Sequence, residues 1–170
     1  NGVAKWQGRI FDETADIEIP NSGILGISTA YTISVWCKQS VTNAQRILFT
    51  KWNQTGNQRS WAMLFSAGGV NPTLTFYYST DGVASVAIAD AVTLVVDIFY
   101  LWTVTYDGTN LRQYLNSSLI ATTAIPALFV STSPVWVGRD GTGALGTKFN
   151  GVVGGALIWK GRSLIQSEIR

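Results

Sequence analysis

Apolar and polar side chains alternate along much of this chain, which predicts β-strands. In segment 31–38 every second position is apolar, namely Ile33, Val35 and Cys37, whereas Trp36 has the opposite parity. Segments 101–106 and 111–116 show the same period of two. Because successive side chains of a strand point to opposite faces, each of these segments would turn one apolar face toward a core.

Further alternating or β-branched segments are separated by turns rich in Gly, Asn, Asp and Thr. They are Asp16–Ile19, Arg46–Trp52, Ser60–Ser66, Thr73–Tyr78, Val83–Ala89, Ser118–Thr123, Pro134–Gly138 and Phe149–Trp159. Only Ser163–Ile169 favours a helix, of about two turns. The pattern predicts an all-β fold, a two-sheet antiparallel jelly-roll sandwich with a short C-terminal helical turn. Neither repeat nor linker divides the chain, so residues 1–170 are expected to form one domain.

The composition fits a packed domain and limits the classes of partner that the domain can bind. The 170 residues are 46% hydrophobic and 13% charged, against about 25% charged in average soluble domains, so intrinsic disorder is excluded. A net charge of +2 provides no basic stripe, which argues against nucleic-acid binding. No apolar run approaches the roughly 20 residues that span a bilayer, so membrane insertion is not expected. Because the sequence starts at Asn1 rather than at methionine, we expect a processed product or a fragment.

Histidine is absent, and cysteine occurs once. Without histidine there is no His-assisted nucleophile, no His general base and no His-ligated zinc. Cys37 cannot form an internal disulfide, and its place in an alternating strand predicts a small buried side chain.

The segment 103–116 reads as a strand, a turn at Asp107 and Gly108, and a returning strand. It resembles the central hairpin of laminin G-like jelly rolls in the concanavalin A-like lectin and glucanase superfamily. Further segments also resemble parts of this family's sequence pattern and follow one another in the family's order. They are 11–20, 31–36, 134–138, 149–151 and 163–169. The resemblance implies a sandwich of two antiparallel sheets, one of them concave, over nearly the whole chain.

The chain departs from the family pattern where acidic residues would matter. Gly154 and Gly155 stand in place of an aspartate pair, and Glu13 stands in place of a glycine. Many relatives bind calcium near the sandwich rim through aspartates, of which Asp12 and Asp16 remain. Calcium takes roughly six to eight oxygen ligands, so a metal site is not favoured, and no cofactor is expected. Both aspartates would then simply cap or solvate a turn.

Catalysis is not expected either. Glycoside hydrolysis needs two carboxyl groups roughly 5–10 Å apart. Asp16 and Glu18 have the spacing that places two side chains on one face of a strand, but they lie in the first strand, which is not the catalytic one in this family. No glutamate occurs between Glu18 and Glu168. A glycoside hydrolase is therefore the least favoured of three interpretations.

Aromatic rings are natural platforms for sugars, because the C–H face of a pyranose stacks on them while its hydroxyls bind polar side chains. The predicted ligand-binding residues are those interpreted as facing away from the core: Trp52, Tyr77, Tyr78, Arg112 and Tyr114. Tyr77 and Tyr78 are alternatives by parity. Trp36 also faces away from the core and is a candidate, but for Trp36 and Trp102 a structural role is favoured, because the family has Trp at both positions irrespective of ligand.

Two functions remain open. The first is a non-catalytic carbohydrate-binding or adhesion module, which rests partly on fold-level analogy. The alternative is a structural or decorating domain of a larger assembly, such as a virion or cell-surface layer, whose faces contact neighbouring protein subunits or form an oligomer. In either case the partners are glycans or proteins, and the expected location is extracellular or surface-displayed.

Overall fold

Two β-sheets pack face to face in a computed structural model that describes residues 8–41, 44–66, 73–90, 92 and 94–170. Sheet A contains, in spatial order, β1 (Arg9–Asp12), β13 (Asn150–Lys160), β3 (Tyr31–Gln39), β8 (Phe99–Tyr106), β9 (Asn110–Leu115) and β10 (Ser118–Ala124). Sheet B contains β2 (Ile17–Ile19), β11 (Val135–Val137), β4 (Arg46–Asn53), β5 (Gln58–Ser66), β6 (Thr73–Tyr78) and β7 (Val86–Asp90). A short β12 (Thr147–Lys148) pairs with β4 in parallel, whereas the pairs within each sheet are antiparallel.

This architecture confirms the predicted jelly-roll sandwich. The predicted C-terminal helix is a single 3-10 turn at Gln166–Glu168, and a second 3-10 turn lies at Gly23–Leu25. No helix among the described residues has the length and apolar character needed to cross a membrane.

One predicted strand begins later than expected. The sequence predicts a strand from Val83, but β7 starts at Val86. The carboxylate of Asp81 accepts hydrogen bonds from the backbone N–H groups of Val83 and Ala84, both at 2.8 Å. An aspartate that binds the backbone two and three residues ahead favours a turn over a strand.

The core lies between the sheets, and the alternation in β3 correctly predicts which side chains of this strand enter it. Ile33, Val35 and Cys37 are fully buried, whereas Trp36 projects to the outer face of sheet A. Burial raises the pKa of the Cys37 thiol, because the thiolate would lose its hydration. Cys37 is therefore a buried apolar side chain, as predicted.

The C-terminal segment 161–170 covers one half of the outer face of sheet A. Leu164 and Ile169 pack against Tyr114, with Leu101 and Trp159 at the margin. Thr32 fixes the segment, because its hydroxyl donates to the Arg162 carbonyl at 3.0 Å and accepts from the Leu164 N–H at 2.9 Å. The residues that the structure describes leave the half of this face that carries Trp36 open.

Candidate functional site

The five predicted ligand-binding residues do not form one site. Trp52 and Tyr77 lie on the outer face of sheet B, whereas Arg112 and Tyr114 lie on the outer face of sheet A. Tyr78 packs in the core between the sheets. Of the two alternatives in β6, Tyr77 is thus the one that faces outward, and the assignment of Tyr78 to an outer face is wrong.

Trp52 is on an outer face but is fully buried. It packs with Ile47, Ala62 and Leu64 beneath Leu145, and its ring meets Tyr77 edge-on at 6.3 Å. The covering loop 139–148 is held by Asp140, whose carboxylate accepts hydrogen bonds from the N–H groups of Gly143 at 2.5 Å and Leu145 at 3.1 Å. The interpretation of Trp52 as an open stacking surface is therefore corrected, because the loop covers it; Tyr77 is partly exposed beside it.

Tyr114 and Arg112 are also engaged within the protein. Tyr114 is 5% exposed, because Leu164 and Ile169 cover its ring. The Arg112 Nη1 atom lies 2.6 Å from Asp107 Oδ2. Hydrogen bonds from the Asn110 N–H and then from Arg112 lower the pKa of Asp107 to about 2, so the ion pair persists at neutral pH. A sugar reaches Tyr114 only if the C-terminal segment moves.

The open half of the outer face of sheet A carries two parallel rings. Trp36 is 43% exposed and Phe99 is 37% exposed, their centroids are 5.7 Å apart, and their planes differ by 5°. We call this pair the aromatic platform. It borders a shallow cavity of about 190 Å³ that Gly8 and Gly154 also line. Two large exposed rings held parallel are an apolar surface that water leaves favourably when a ligand stacks on it.

Gly154 makes room for the indole of Trp36. A Cβ atom at Gly154 would lie 2.5 Å from Trp36 Cδ1, closer than real carbon contacts allow. A Cβ atom at the neighbouring Gly155 would meet nothing within 4 Å. The register of β13 shifts between Val153 and Gly155, as in a β-bulge. The glycine pair that replaces the family's aspartates therefore opens the surface beside the platform.

Polar groups line one side of the platform. Lys38 Nζ lies 5.9 Å from the centroid of Phe99 and 3.4 Å from Asp97 Oδ1, and the Ser40 hydroxyl donates to the same oxygen at 3.0 Å. We call Lys38, Ser40 and Asp97 the polar rim. Exposed aromatic surface with donors and acceptors beside it matches the two-sided chemistry of a sugar ring.

The aromatic platform is absent from the predicted site. The sequence indicates one part of the platform, because the parity of Trp36 orients its side chain away from the core. Phe99 and the rim could be added only from the pairing of β3 with β8, which sets Lys38 opposite Phe99. The pairing register of two strands that lie about 60 residues apart in the chain cannot be inferred from the sequence of either strand alone.

Carboxylates at the sandwich rim are engaged by partners within the protein. Asp16 Oδ2 lies 2.6 Å from Lys148 Nζ, and Glu13 Oε1 lies 2.9 Å from Arg46 Nη1. Asp12 Oδ1 accepts from the Thr14 hydroxyl at 2.6 Å and from the Thr14 N–H at 3.1 Å, and these two bonds lower the pKa of Asp12. The two aspartates that the family resemblance associates with calcium are thus both engaged by partners within the protein. No group of three potential metal ligands occurs in the part of the chain that the structure describes.

Chelation is therefore expected to leave stability unchanged. We expect EDTA to change the free energy of unfolding by less than about 1 kcal/mol. In a domain of this size about 1 kcal/mol corresponds to roughly 2–4 °C, so the thermal midpoint should shift by less than about 2 °C. Differential scanning fluorimetry with EDTA and with added calcium checks this. A large loss in EDTA that calcium restores would contradict the engagement of the rim carboxylates within the protein.

Solved structures with similar folds come from several organisms. A carbohydrate-binding module, the CBM40 of Ruminococcus gnavus IT-sialidase bound to α2,3-sialyllactose, has a TM-score of 0.74 and 18% identity over 96% of this chain and 94% of that chain. Domain 4 of the arabinanase AbnA from Geobacillus stearothermophilus, in complex with arabinotriose, has a TM-score of 0.71 and 13% identity over 94% and 73%. A heptameric SAP-like pentraxin from Limulus polyphemus has a TM-score of 0.61 and 13% identity over 91% and 79%.

Family membership follows from the sequence match together with this fold. Among curated protein sequences, none matches the chain at a significant level. A laminin G-type family model, however, matches residues 11–170, which is nearly the whole chain. The chain belongs to the concanavalin A-like lectin/glucanases superfamily.

Proposed function

We propose that this domain is a non-catalytic carbohydrate-binding module that stacks a sugar ring on the aromatic platform. The observation that carries the proposal is the parallel, exposed pair of Trp36 and Phe99 beside a polar rim. Stacking buries the apolar C–H face of a pyranose, and the rim supplies partners for its hydroxyls. The cavity of about 190 Å³ is smaller than the roughly 300–1,000 Å³ of pockets for drug-sized ligands, which suits a single ring on a shallow surface.

Structures with this fold support the proposal by analogy. The Ruminococcus gnavus module is bound to sialyllactose and the Geobacillus arabinanase domain to arabinotriose. Fold alone does not assign function, so the analogy adds weight only because this chain has a stacking surface of its own. The arabinanase is extracellular, and an extracellular or surface-displayed location is proposed for this domain too.

The state of the carboxylates supports a non-catalytic role. Asp16 lies against Lys148, and Glu18 of β2 stands opposite Trp136 on the exposed face of sheet B. An ion-paired carboxylate at the rim and an isolated one on a sheet face do not form the acid and base pair that glycoside cleavage requires.

A structural role in a larger assembly is the second candidate. Ile10 and Leu157 are exposed on the outer face of sheet A near the platform, and contiguous apolar surface often marks a protein contact. In that case Trp36 would pack against a neighbouring subunit. Light scattering of wild type and Trp36→Ala separates the candidates, because only the structural role predicts self-association that the substitution abolishes.

The two glycines beside Trp36 provide a matched test of the proposal. An array of neutral and acidic oligosaccharides selects a ligand, and isothermal titration calorimetry then compares Gly154→Ala with Gly155→Ala. Gly154→Ala is expected to weaken binding about tenfold, because the new Cβ atom displaces the indole, which corresponds to about 1.4 kcal/mol. Gly155→Ala should bind like wild type, since its Cβ atom enters open space.

Equal affinities of the two variants would contradict a site at Trp36. Thermal melting of both variants confirms that each is folded before the affinities are compared. If no member of the array binds, the carbohydrate-binding proposal itself fails.

A further inference from the structure

We infer that the sugar on the aromatic platform is neutral and that adjacent hydroxyls of its ring bridge Lys38 and Asp97. This inference rests on the proposed function and adds the ligand class. It concerns the polar rim, where one cation and one anion stand side by side and the cation lies over the Phe99 ring.

The Lys38 and Asp97 side chains form a loose pair. Their closest atoms are 3.4 Å apart, longer than the roughly 2.7–2.9 Å of a charge-assisted hydrogen bond. The Lys38 side chain is 26% exposed and that of Asp97 is 60% exposed. A hydroxyl both donates and accepts, so one ring hydroxyl can accept from the ammonium while its neighbour donates to the carboxylate.

The carboxylate is held in position by its backbone. Asp97 has a φ of +62°, and its N–H donates to the Gln39 carbonyl at 2.8 Å. Aspartate and asparagine tolerate this left-handed conformation better than other side chains with a Cβ atom. The Ser40 and Lys38 contacts both fall on Oδ1. Among the described residues no hydrogen bond to Oδ2 occurs, so this oxygen is available to a ligand.

The charge balance of the rim favours a neutral sugar. The charges of Lys38 and Asp97 cancel, and Asp97 is the more exposed of the two, so an acidic sugar would bring its own carboxylate against an exposed anion. Arg112, the arginine of the predicted site, is already paired with Asp107. The similar module from Ruminococcus gnavus is bound to sialyllactose, an acidic sugar. We therefore expect this domain to differ from that module in ligand charge.

Calorimetric titration of five probes tests the inference. Lactose, cellotriose and arabinotriose serve as neutral probes, and α2,3-sialyllactose and trigalacturonate serve as acidic probes. At least one neutral probe is expected to bind, and neither acidic probe should bind more tightly than it. Asp97→Asn is expected to weaken neutral binding about tenfold, because it keeps the shape and the left-handed backbone but replaces the charged acceptor.

Two further variants complete the design. Lys38→Met keeps the length of the side chain and should weaken neutral binding by about fivefold, because the donor is lost. Glu18→Gln removes an exposed carboxylate on sheet B and should change nothing. Tighter binding of an acidic probe than of every neutral probe would overturn the inference. A gain for an acidic probe in Asp97→Asn is expected, because the substitution removes the repelling charge.

The design also separates this inference from the proposed function. If Trp36→Ala abolishes binding of a neutral probe that Asp97→Asn leaves unchanged, the platform stands and the assignment of the rim falls. If Trp36→Ala binds the neutral probes as tightly as wild type does, or if no probe binds, both fall.

Discussion

Replacement of Trp36 with alanine is expected to lower the affinity for an array-selected oligosaccharide by about thirtyfold, or about 2 kcal/mol. Aromatic side chains at the centre of a binding surface commonly contribute this much, because truncation removes both the stacked area and the exclusion of water. Isothermal titration calorimetry measures the loss. The thermal midpoint should fall little, because the side chain is 43% exposed and lies outside the core between the sheets.

Substitutions away from the platform are the controls for this prediction. Tyr114→Ala should destabilise the fold by opening a void beneath Leu164 and Ile169, while the folded protein keeps its affinity. Tyr77→Ala on sheet B should leave the affinity unchanged. Loss of binding in Tyr77→Ala together with normal binding in Trp36→Ala would move the site to the opposite sheet.

Replacement of Trp102 with alanine is expected to lower the free energy of unfolding by about 4 kcal/mol. Trp102 is fully buried and packs against Phe65 with the ring centroids 6.1 Å apart. Its Nε1–H donates to Gln113 Oε1 at 3.0 Å, and Gln113 Nε2 donates in turn to the Asp90 carboxylate. The substitution therefore creates a cavity and leaves a buried amide oxygen without its donor, and the two costs add.

Urea unfolding followed by circular dichroism measures this effect. Trp102→Phe is the matched variant. It keeps an aromatic ring in the core but removes the N–H and part of the ring volume, so its cost of about 1–3 kcal/mol combines the lost hydrogen bond with a smaller cavity. A Trp102→Ala variant destabilised by less than about 1 kcal/mol would show that this chain of hydrogen bonds is not part of the packed core.

Local patterns in the sequence predicted the sandwich well. The parity of β3 sent Ile33 and Val35 inward and Trp36 outward, and all three orientations are confirmed. Parity failed to separate Tyr77 from Tyr78, because two adjacent tyrosines satisfy either phase of a period of two.

The local sequence pattern does not predict which parts of the outer sheet faces are covered by other segments of the chain. Tyr114 is buried by Leu164 and Ile169, about 50 residues further along the chain, and Trp52 is buried by Leu145. An outward-facing aromatic side chain is exposed only if no distant segment packs on it, and alternation carries no information on that packing. For this reason the open surface lies at Trp36 rather than at the residues that the sequence selected.

The indole N–H signals in ¹H–¹⁵N NMR spectra test the platform most directly. Tryptophan side chains lie on both outer faces and in the core, so a single titration with the array-selected sugar compares all of these regions. The Trp36 signal is assigned as the one that is missing from the spectrum of Trp36→Phe. We expect the Trp36 signal to shift with sugar concentration while those of Trp52, Trp102 and Trp136 stay fixed. Shifts at Trp52 or Trp136 with an unchanged Trp36 signal would contradict a sugar site on sheet A.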